Sequence, residues 1–327
     1  MPERPVLRLL RRRLLQLIPL LIGVVVVNFC LIHAAPGSFL DVMTSDNQVT
    51  DPALIARLRT TYGLDDPLWL QLLKYIAAVA HLDLGFSYRQ NMPVFDAILA
   101  HLPATLILML SGLGLAVLVG VTAGIIAAVK INTIWDSIVS VLAVVFFATP
   151  SFWLGIMLTV LFAVKLRWLP VGDMTTLGAD GGTFAQLLDV LRHLVLPALS
   201  LGLFYAAIYA RVMRTSMLEV FRLDFVRTAR AKGLSAVRVT LFHVLRNALL
   251  PVVTMLGLQM GTVLAGSVVI ETVFAWPGIG TLLFDAVSTR DYPMVLGIMV
   301  LGSLMVVAAN LAIDLCYLWL DPRIEVG

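Results

Sequence analysis

The chain has 327 residues, of which 60% are hydrophobic and 13% are charged, and its mean hydropathy is +0.96. A soluble domain carries about 25% charged residues, so this composition excludes a globular enzyme built around one large core. Basic residues cluster beside apolar segments, where they indicate orientation in a membrane, and no nucleic-acid partner is expected. The composition predicts an all-α polytopic membrane protein surrounded by lipid.

The first predicted element is a retained transmembrane helix over residues 14–34, which contains no fully charged residue. At about 1.5 Å per residue it is long enough to cross a hydrocarbon layer of roughly 30 Å. A cleaved signal peptide is the alternative, but its apolar region is usually only about 7–15 residues long. The preceding arginines are Arg8, Arg11, Arg12 and Arg13.

Residues 35–98 are mixed and polar, and they are interpreted as an aqueous subdomain on the side opposite the N-terminus. Short helices are predicted over residues 52–62 and 69–80. The N-terminal unit, residues 1–98, is therefore predicted to combine the first transmembrane helix with this extracytoplasmic subdomain.

Residues 99–320 are predicted to form a membrane domain of five further helices, followed by a cytoplasmic tail over residues 321–327. The apolar spans are 102–129, 134–164 (interrupted at Thr149–Pro150–Ser151), 194–210, 251–270 and 293–313. Six transmembrane helices in total place both termini on one side. The segments on the same side of the membrane as the N-terminus hold most of the Lys and Arg. Both termini are therefore predicted to be cytoplasmic, and the protein is predicted to lie in the plasma (inner) membrane.

No span carries Asp, Glu, Lys, Arg or His near its middle. Proton-driven carriers and intramembrane aspartyl proteases need such groups, so the pattern argues against both, whereas a pore or a sodium-coupled carrier remains open. The sequence has no Gly-Lys dipeptide and hence no phosphate-binding P-loop, so an ATP-driven activity requires an ATPase on another chain. No catalytic residue and no metal site is predicted, and the chain is not expected to be an enzyme by itself.

The most informative stretch is the basic segment, residues 211–251, which is rich in Arg and lies between two apolar spans. Asp224 is predicted to cap a short helix over residues 225–232, and Gly233 to end it, because a helix stop favours a positive φ. Ser235 is predicted to cap a second helix that runs toward the next span.

The first of these helices carries a small apolar face made by Phe225, Val226 and Ala229, with basic residues at other positions. An isolated helix shorter than about 12 residues is marginal in water, so a partner surface would complete it. The pattern favours a docking element, although cytoplasmic loops are commonly basic for reasons of orientation alone.

Two motifs of the basic segment are recognisable. TARAKGL (Thr228–Leu234) and HVLRNALLPVVT (His243–Thr254) resemble the coupling loop of membrane subunits of ABC importers for dipeptides and oligopeptides. The general importer pattern is E-A-A-x-x-x-G, whereas this chain has Arg227 at the Glu position, then Ala229 and Gly233. That departure resembles the peptide-importer subgroup and removes the basis for any salt bridge assigned to the Glu elsewhere.

Other segments resemble the same family, in its order, and its B-type subunit in particular. They are His33–Gly37, Tyr62–Asp65, Asp83–Ser87, Leu102–Leu106, Glu271–Gly280, Arg290–Pro293, Asn310 with Asp314, and Asp321–Ile324.

The resemblance implies the type I importer (MetI-like) permease fold. A homologous second permease would complete the pathway, two ABC ATPase subunits would dock on the permeases, and an extracytoplasmic binding protein would deliver the substrate. This chain would bind no cofactor, and the ATPases would bind ATP and Mg. The residues implied in ATPase coupling are Asp224, Phe225, Val226, Arg227, Thr228, Ala229, Arg230, Ala231, Lys232, Gly233 and Leu234.

The implied substrates are dipeptides or oligopeptides. Nickel chelates, glutathione, haem or oligosaccharides are alternatives within the family, because the binding protein does most of the selecting. A stand-alone secondary carrier or channel is the alternative from a different class.

The polar residues of the fifth span are Gln259, Thr262 and Ser267. They are interpreted either as lining a substrate pathway or as making hydrogen bonds between helices. Gly120 and Gly124 have the small-xxx-small spacing, which favours close helix packing over a role in the pathway.

Trp276, Pro277 and Gly278 precede the last span. They could form an outer gate, since Pro and Gly permit a tight turn. A plain loop anchored by a Trp at the membrane interface is the favoured alternative.

Overall fold

The computed structural model describes residues 5–34, 66–176, 178 and 182–320. The helix predicted over residues 52–62 and the tail over residues 321–327 lie outside the described residues. The chain divides into two compact units. Unit 1 comprises Met1–Leu102 and Leu282–Gly327, and unit 2 comprises Pro103–Thr281.

The described residues are largely helical, with one short antiparallel hairpin. In chain order the elements are α1 (Pro5–Ala34), α2 (Leu68–Ala80), β1 (Phe86–Ser87), β2 (Met92–Pro93), α3 (Val94–Val129), α4 (Ile134–Ala148), α5 (Ser151–Leu158), a π-helical segment (Thr159–Lys165), α6 (Thr183–Val220), α7 (Asp224–Ala231), α8 (Ala236–Arg238), a second π-helical segment (Val239–Val244), α9 (Leu245–Val273), α10 (Ile279–Ser288) and α11 (Tyr292–Leu320).

Four stretches of helix within the described residues are long and apolar enough to cross a membrane. They are α3, α6, Ala236–Gln259 and Tyr292–Ala312. The pair α4 and α5, with its π-helical extension, makes a fifth if it counts as one bent span. α1, Pro5–Ala34, contains the apolar stretch Ile18–Cys30. The predicted all-α multi-pass architecture is confirmed, while the described helices do not reach the predicted count of six.

The predicted interruption of the third span is a sharp bend of 103° between α4 and α5. Pro150 has no N–H to continue the helical hydrogen bonds, and it forces the preceding residue out of the helical region. Thr149 accordingly adopts φ −87° and ψ 124°. α5 restarts at Ser151, with the carbonyl of Pro150 accepting the N–H of Leu154 at 3.0 Å.

In unit 2, α6 packs against α4, α5 and α9. It also lies directly against two glycines of α3. A Cβ at Gly120 would stand 2.6 Å from the carbonyl oxygen of Ala206, and one at Gly124 would stand 2.6 Å from that of Ala210. Only a residue without a side chain permits this approach, so close helix packing, the favoured interpretation of this spacing, is confirmed.

In unit 1, α1 packs against α2 and α11, and the β1–β2 hairpin lies against α11. The buried hydroxyl of Ser87 donates to Oδ2 of Asp291, just before α11 begins. Oδ1 of the same carboxyl accepts the N–H of Met294 at 3.3 Å, which satisfies one of the free N–H groups at the start of α11.

Candidate functional site

The helix predicted inside the basic segment is present as α7, but its N-terminus differs from the prediction. Leu223, not Asp224, is the N-cap residue, and no side chain caps the helix. Asp224 lies in the first turn, where its negative charge interacts favourably with the helix dipole. Its Oδ1 accepts a hydrogen bond from Nη1 of Arg227 at 3.3 Å. The side-chain cap predicted for Asp224 is therefore wrong, because the helix begins one residue earlier than expected.

Gly233 ends this helix as predicted, with φ +79°. The N–H of Gly233 donates to the carbonyl of Arg230 at 2.9 Å, and the N–H of Leu234 donates to that of Ala229 at 3.4 Å. These two bonds define a Schellman stop, which requires the left-handed conformation that glycine adopts without strain. A Cβ at Gly233 would meet nothing within 4 Å, so the requirement for glycine is conformational, not steric.

The three apolar residues of α7 do not form one exposed face. Val226 is 0% exposed and Ala229 is buried, because the spacing i, i+3 turns both toward the hydrophobic core of unit 2. Phe225 is 42% exposed, beside the exposed Leu223. The predicted apolar face is therefore divided, and the exposed surface of α7 combines Phe225 with charged residues.

The second helix of the basic segment begins at the predicted position. Ser235 is the N-cap residue of α8, but its side chain makes no capping bond, so the predicted hydroxyl cap is wrong. Its carbonyl accepts the N–H of Val239 at 3.0 Å. The chain then runs through a π-helical segment into α9, so that α7 is tethered at both ends to long helices of unit 2.

The candidate pathway residues lie on α9. Ser267 is 1% exposed and hydrogen-bonds to the side chain of Glu271. Gln259 is half-buried and has hydrogen-bonding or electrostatic partners of its own. The side chain of Thr262 lies outside the described residues. A role of these three residues in a substrate pathway stays a prediction.

Trp276 is fully buried, so it is not the interfacial anchor that the sequence favoured. Its indole Nε1 donates to the carbonyl oxygen of Ala104 at 2.8 Å. Its own carbonyl accepts the hydroxyl of Thr281 at 2.7 Å. The surroundings of a loop Trp cannot be inferred from the sequence, because the acceptor comes from a helix more than 170 residues away.

Glu271 organises this turn, and sequence reasoning gave it no role. Thr105 Oγ1 donates to Oε1 at 2.9 Å, while the N–H groups of Gly280 and Thr281 donate to Oε2 at 2.6 and 3.3 Å. The hydroxyl of Thr105 also accepts the N–H of Ile279 at 2.8 Å. A wholly buried carboxyl group with these donors is fully satisfied, so it fixes the turn instead of waiting for a ligand.

In the Trp276 turn (residues 274–281), two positions require glycine because neighbouring atoms lie too close for a Cβ. A Cβ at Gly278 would stand 2.5 Å from Cδ of Glu271, and a Cβ at Gly280 would stand 2.5 Å from Cα of Val268. The signal that could have identified the site was a lone carboxyl residue at the end of an apolar span, followed by a Pro-Gly turn.

The chain is similar to known membrane components of transport systems along most of its length. Residues 120–326 match the family described as "Binding-protein-dependent transport system inner membrane component", and residues 6–109 match the model of its N-terminal region. The apolar helices define a multi-pass membrane protein. The chain belongs to the family of binding-protein-dependent transport system inner membrane components.

Two relatives align with nearly the whole chain. The di/tripeptide transport system permease protein DppB of Pseudomonas aeruginosa is 42% identical over 336 residues, which cover 98% of this chain and 99% of that protein. The dipeptide transport system permease protein DppB of Escherichia coli K12 is 40% identical, with the same coverage.

A solved structure shows the same fold. The chain is similar to one in the inward-facing MetNI methionine ABC transporter, with a TM-score of 0.52, 16% identity, and coverage of 68% of this chain and 96% of that chain. The predicted MetI-like permease fold is thereby confirmed. Membership of a family of membrane components is consistent with a chain that is not catalytic by itself.

Proposed function

We propose that this chain is a permease subunit of an ATP-driven importer of dipeptides and short oligopeptides. The observation that carries the proposal is the identity of about 40% across almost the full length of two permeases named for di- and tripeptides. Similarity over the whole chain includes the helices, the basic segment and the Trp276 turn together, so it extends well beyond a shared fold.

The energy source would be a pair of separate ATPase subunits, which bind ATP and Mg. The absence of a P-loop from the sequence supports this division of labour. A homologous second permease would complete the pathway, and an extracytoplasmic binding protein would deliver the peptide.

The ATPase would dock on Asp224–Leu234. The segment Asp224–Leu234 presents the exposed side chains of Phe225, Arg227 and Lys232, while Val226 and Ala229 hold α7 against its own subunit. A short helix that is anchored on one side and exposed on the other can transmit a push or a pull to the long helices at its two ends. This placement requires the basic segment in the cytoplasm, with both termini on that side, which the distribution of Lys and Arg supports.

The substrate pathway would include Gln259, Thr262 and Ser267, and the Trp276 turn would contribute to the outer gate. Because Glu271 and Thr105 pin this turn, we expect it to move as a rigid body with the helices that carry it. Closure of the ATPase pair on ATP would open the pathway outward, and hydrolysis would return it to the inward-facing state.

Reconstitution of the complete complex tests the proposed function. The chain would be co-expressed with a second permease, ATPases and a binding protein of the same importer, placed in proteoliposomes, and assayed for ATP hydrolysis. Dipeptides supplied with the binding protein should stimulate hydrolysis and accumulate inside. Stimulation by a nickel chelate or glutathione, without any by peptides, would contradict the proposed substrate class.

A further inference from the structure

Arg214 of α6 and Asp136 of α4 form an ion pair with two contacts. Nε of Arg214 donates to Oδ1 at 2.7 Å, and Nη2 donates to Oδ2 at 2.9 Å. The Asp136 side chain is only 8% exposed, and the backbone N–H of Asn132 also donates to it at 3.1 Å. A two-point contact of this kind fixes the orientation of its partners as well as their separation.

The ion pair lies at the helix ends nearest to α7. Asp136 is in the first turn of α4, and Arg214 precedes the end of α6 at Val220 by less than two turns. On the far side of that end, Arg230 of α7 lies over the ring of Phe221, with Cζ 5.5 Å from the ring centroid. A displacement of α7 would therefore act on this end of α6, as well as on the second π-helical segment, against which α7 also packs.

The bent pair α4–α5 also reaches the Trp276 turn. A Cβ at Gly155 of α5 would stand 3.0 Å from the ring of Phe274. Beyond the π-helical segment, the N–H of Asp173 donates to the carbonyl oxygen of Phe274 at 2.8 Å, and a Cβ at Gly172 would stand 2.6 Å from the same oxygen. The bent pair α4–α5 thus makes two contacts. Its first helix pairs with α6 at Arg214, and its second helix lies beside Phe274, the first residue of the Trp276 turn.

We propose that the Arg214–Asp136 ion pair makes the bent pair α4–α5 follow α7, so that a movement imposed on the basic segment reaches the Trp276 turn. Arg214 and Asp136 are positioning residues in this role, because neither touches the substrate. Apolar contacts between α4 and α6 attract without a preferred orientation of individual groups, whereas the two-point ion pair fixes both the orientation and the separation of the two side chains. The proposal rests on the function proposed above, since it assumes that α7 is where the ATPase acts.

The test compares ATP hydrolysis and peptide uptake by reconstituted complexes that carry Arg214→Ala, Asp136→Ala, or the exchange Asp136→Arg with Arg214→Asp. Each single variant should keep the basal ATPase rate, while the peptide transported per ATP hydrolysed falls about tenfold, within the usual range of coupling between sites. The exchange should restore most of this ratio. Arg192→Ala, an exposed residue on the same helix, is the matched control and should behave as wild type.

A purely structural role would lower the thermal stability of the single variants and leave the ratio of transport to hydrolysis unchanged, and that result would overturn the proposal. If the alanine variants do not assemble, Arg214→Lys decides the question. It keeps the charge but loses the two-point contact, so a wild-type ratio would overturn the proposal and a reduced ratio would support it. If the wild-type complex shows no stimulation by peptides, the proposed function itself fails, and this proposal fails with it.

Discussion

The side chains of Thr105 and Glu271, which are 166 residues apart in the sequence, meet in a buried hydrogen bond of 2.9 Å. The same threonine hydroxyl accepts a backbone N–H from Ile279, and the same carboxyl group accepts two more from Gly280 and Thr281. Two side chains therefore hold the last three residues of the Trp276 turn, Ile279–Thr281.

Replacement of Glu271 should destabilise this turn. In Glu271→Gln one carboxylate oxygen becomes an NH₂ group, which must face either the backbone N–H donors or the donating hydroxyl of Thr105, so buried groups are left unpaired at a cost of about 1–3 kcal/mol. We expect a lower unfolding temperature in detergent, measured by fluorescence-detected size-exclusion chromatography after heating. Glu219→Gln, at an exposed position on α6, is the control and should leave that temperature unchanged. Equal stability of the two variants would contradict the role given to Glu271.

Gly233→Val should impair docking of the ATPase because it strains the stop of α7. The left-handed conformation costs a residue with a Cβ about 1–2 kcal/mol, and more when it is β-branched. Copurification of the ATPases and peptide uptake should both fall, whereas Gly233→Asn should retain much of each. Gly114→Val is the matched control, since a Cβ there meets nothing within 4 Å and Gly114 lies in an ordinary helix. Wild-type uptake by Gly233→Val would show that the stop is dispensable.

Phe225 and Val226 are neighbours with opposite surroundings, so they should separate docking from folding. Phe225→Ala should change stability by no more than about 0.5 kcal/mol, as is usual at exposed sites, and should weaken ATPase binding. Val226→Ala should destabilise the subunit, because it removes buried apolar contacts. Thermal stability of the free subunit and copurification of the ATPases measure the two effects. If Phe225→Ala instead destabilised the subunit and Val226→Ala weakened ATPase binding, the ATPase would contact the opposite face of α7.

Larger residues at the crossing of α3 and α6 should not be tolerated. At Gly124 a Cβ would already collide with the backbone of α6, and overpacking of this kind typically costs about 1–3 kcal/mol. We expect Gly124→Leu to reduce the yield of folded subunit in the membrane, measured as the monodisperse fraction after extraction. Normal yield and uptake would instead favour the pathway role that the spacing left open.

The sequence predicts features that depend on neighbouring residues better than those that depend on distant ones. The bend at Pro150 follows from the missing N–H of proline, and the stop at Gly233 follows from the freedom of glycine, so both could be predicted. The burial of Trp276 depends on an acceptor 172 residues away, the carbonyl oxygen of Ala104, which no local pattern indicates.

The candidate site shows the same limit. The basic segment was located by composition and motif, but the sequence did not indicate that Val226 faces inward and Phe225 outward. The partners Asp136 and Arg214 are 78 residues apart. In the sequence, each is a charged residue near the end of an apolar span, and nothing links the two. Contacts between distant segments are set by the packing of whole helices, and a single sequence does not reveal them.

The most direct measurement of ATPase coupling is photo-crosslinking from α7 in the assembled complex. A benzophenone amino acid in place of Phe225 should crosslink to an ATPase subunit, because this side chain is exposed on the proposed docking surface. The same probe in place of Trp69, an exposed residue of α2 in the predicted extracytoplasmic region, should give no such product. An intact complex that hydrolyses ATP but yields no ATPase adduct from position 225 would contradict the assignment of α7 as the coupling helix.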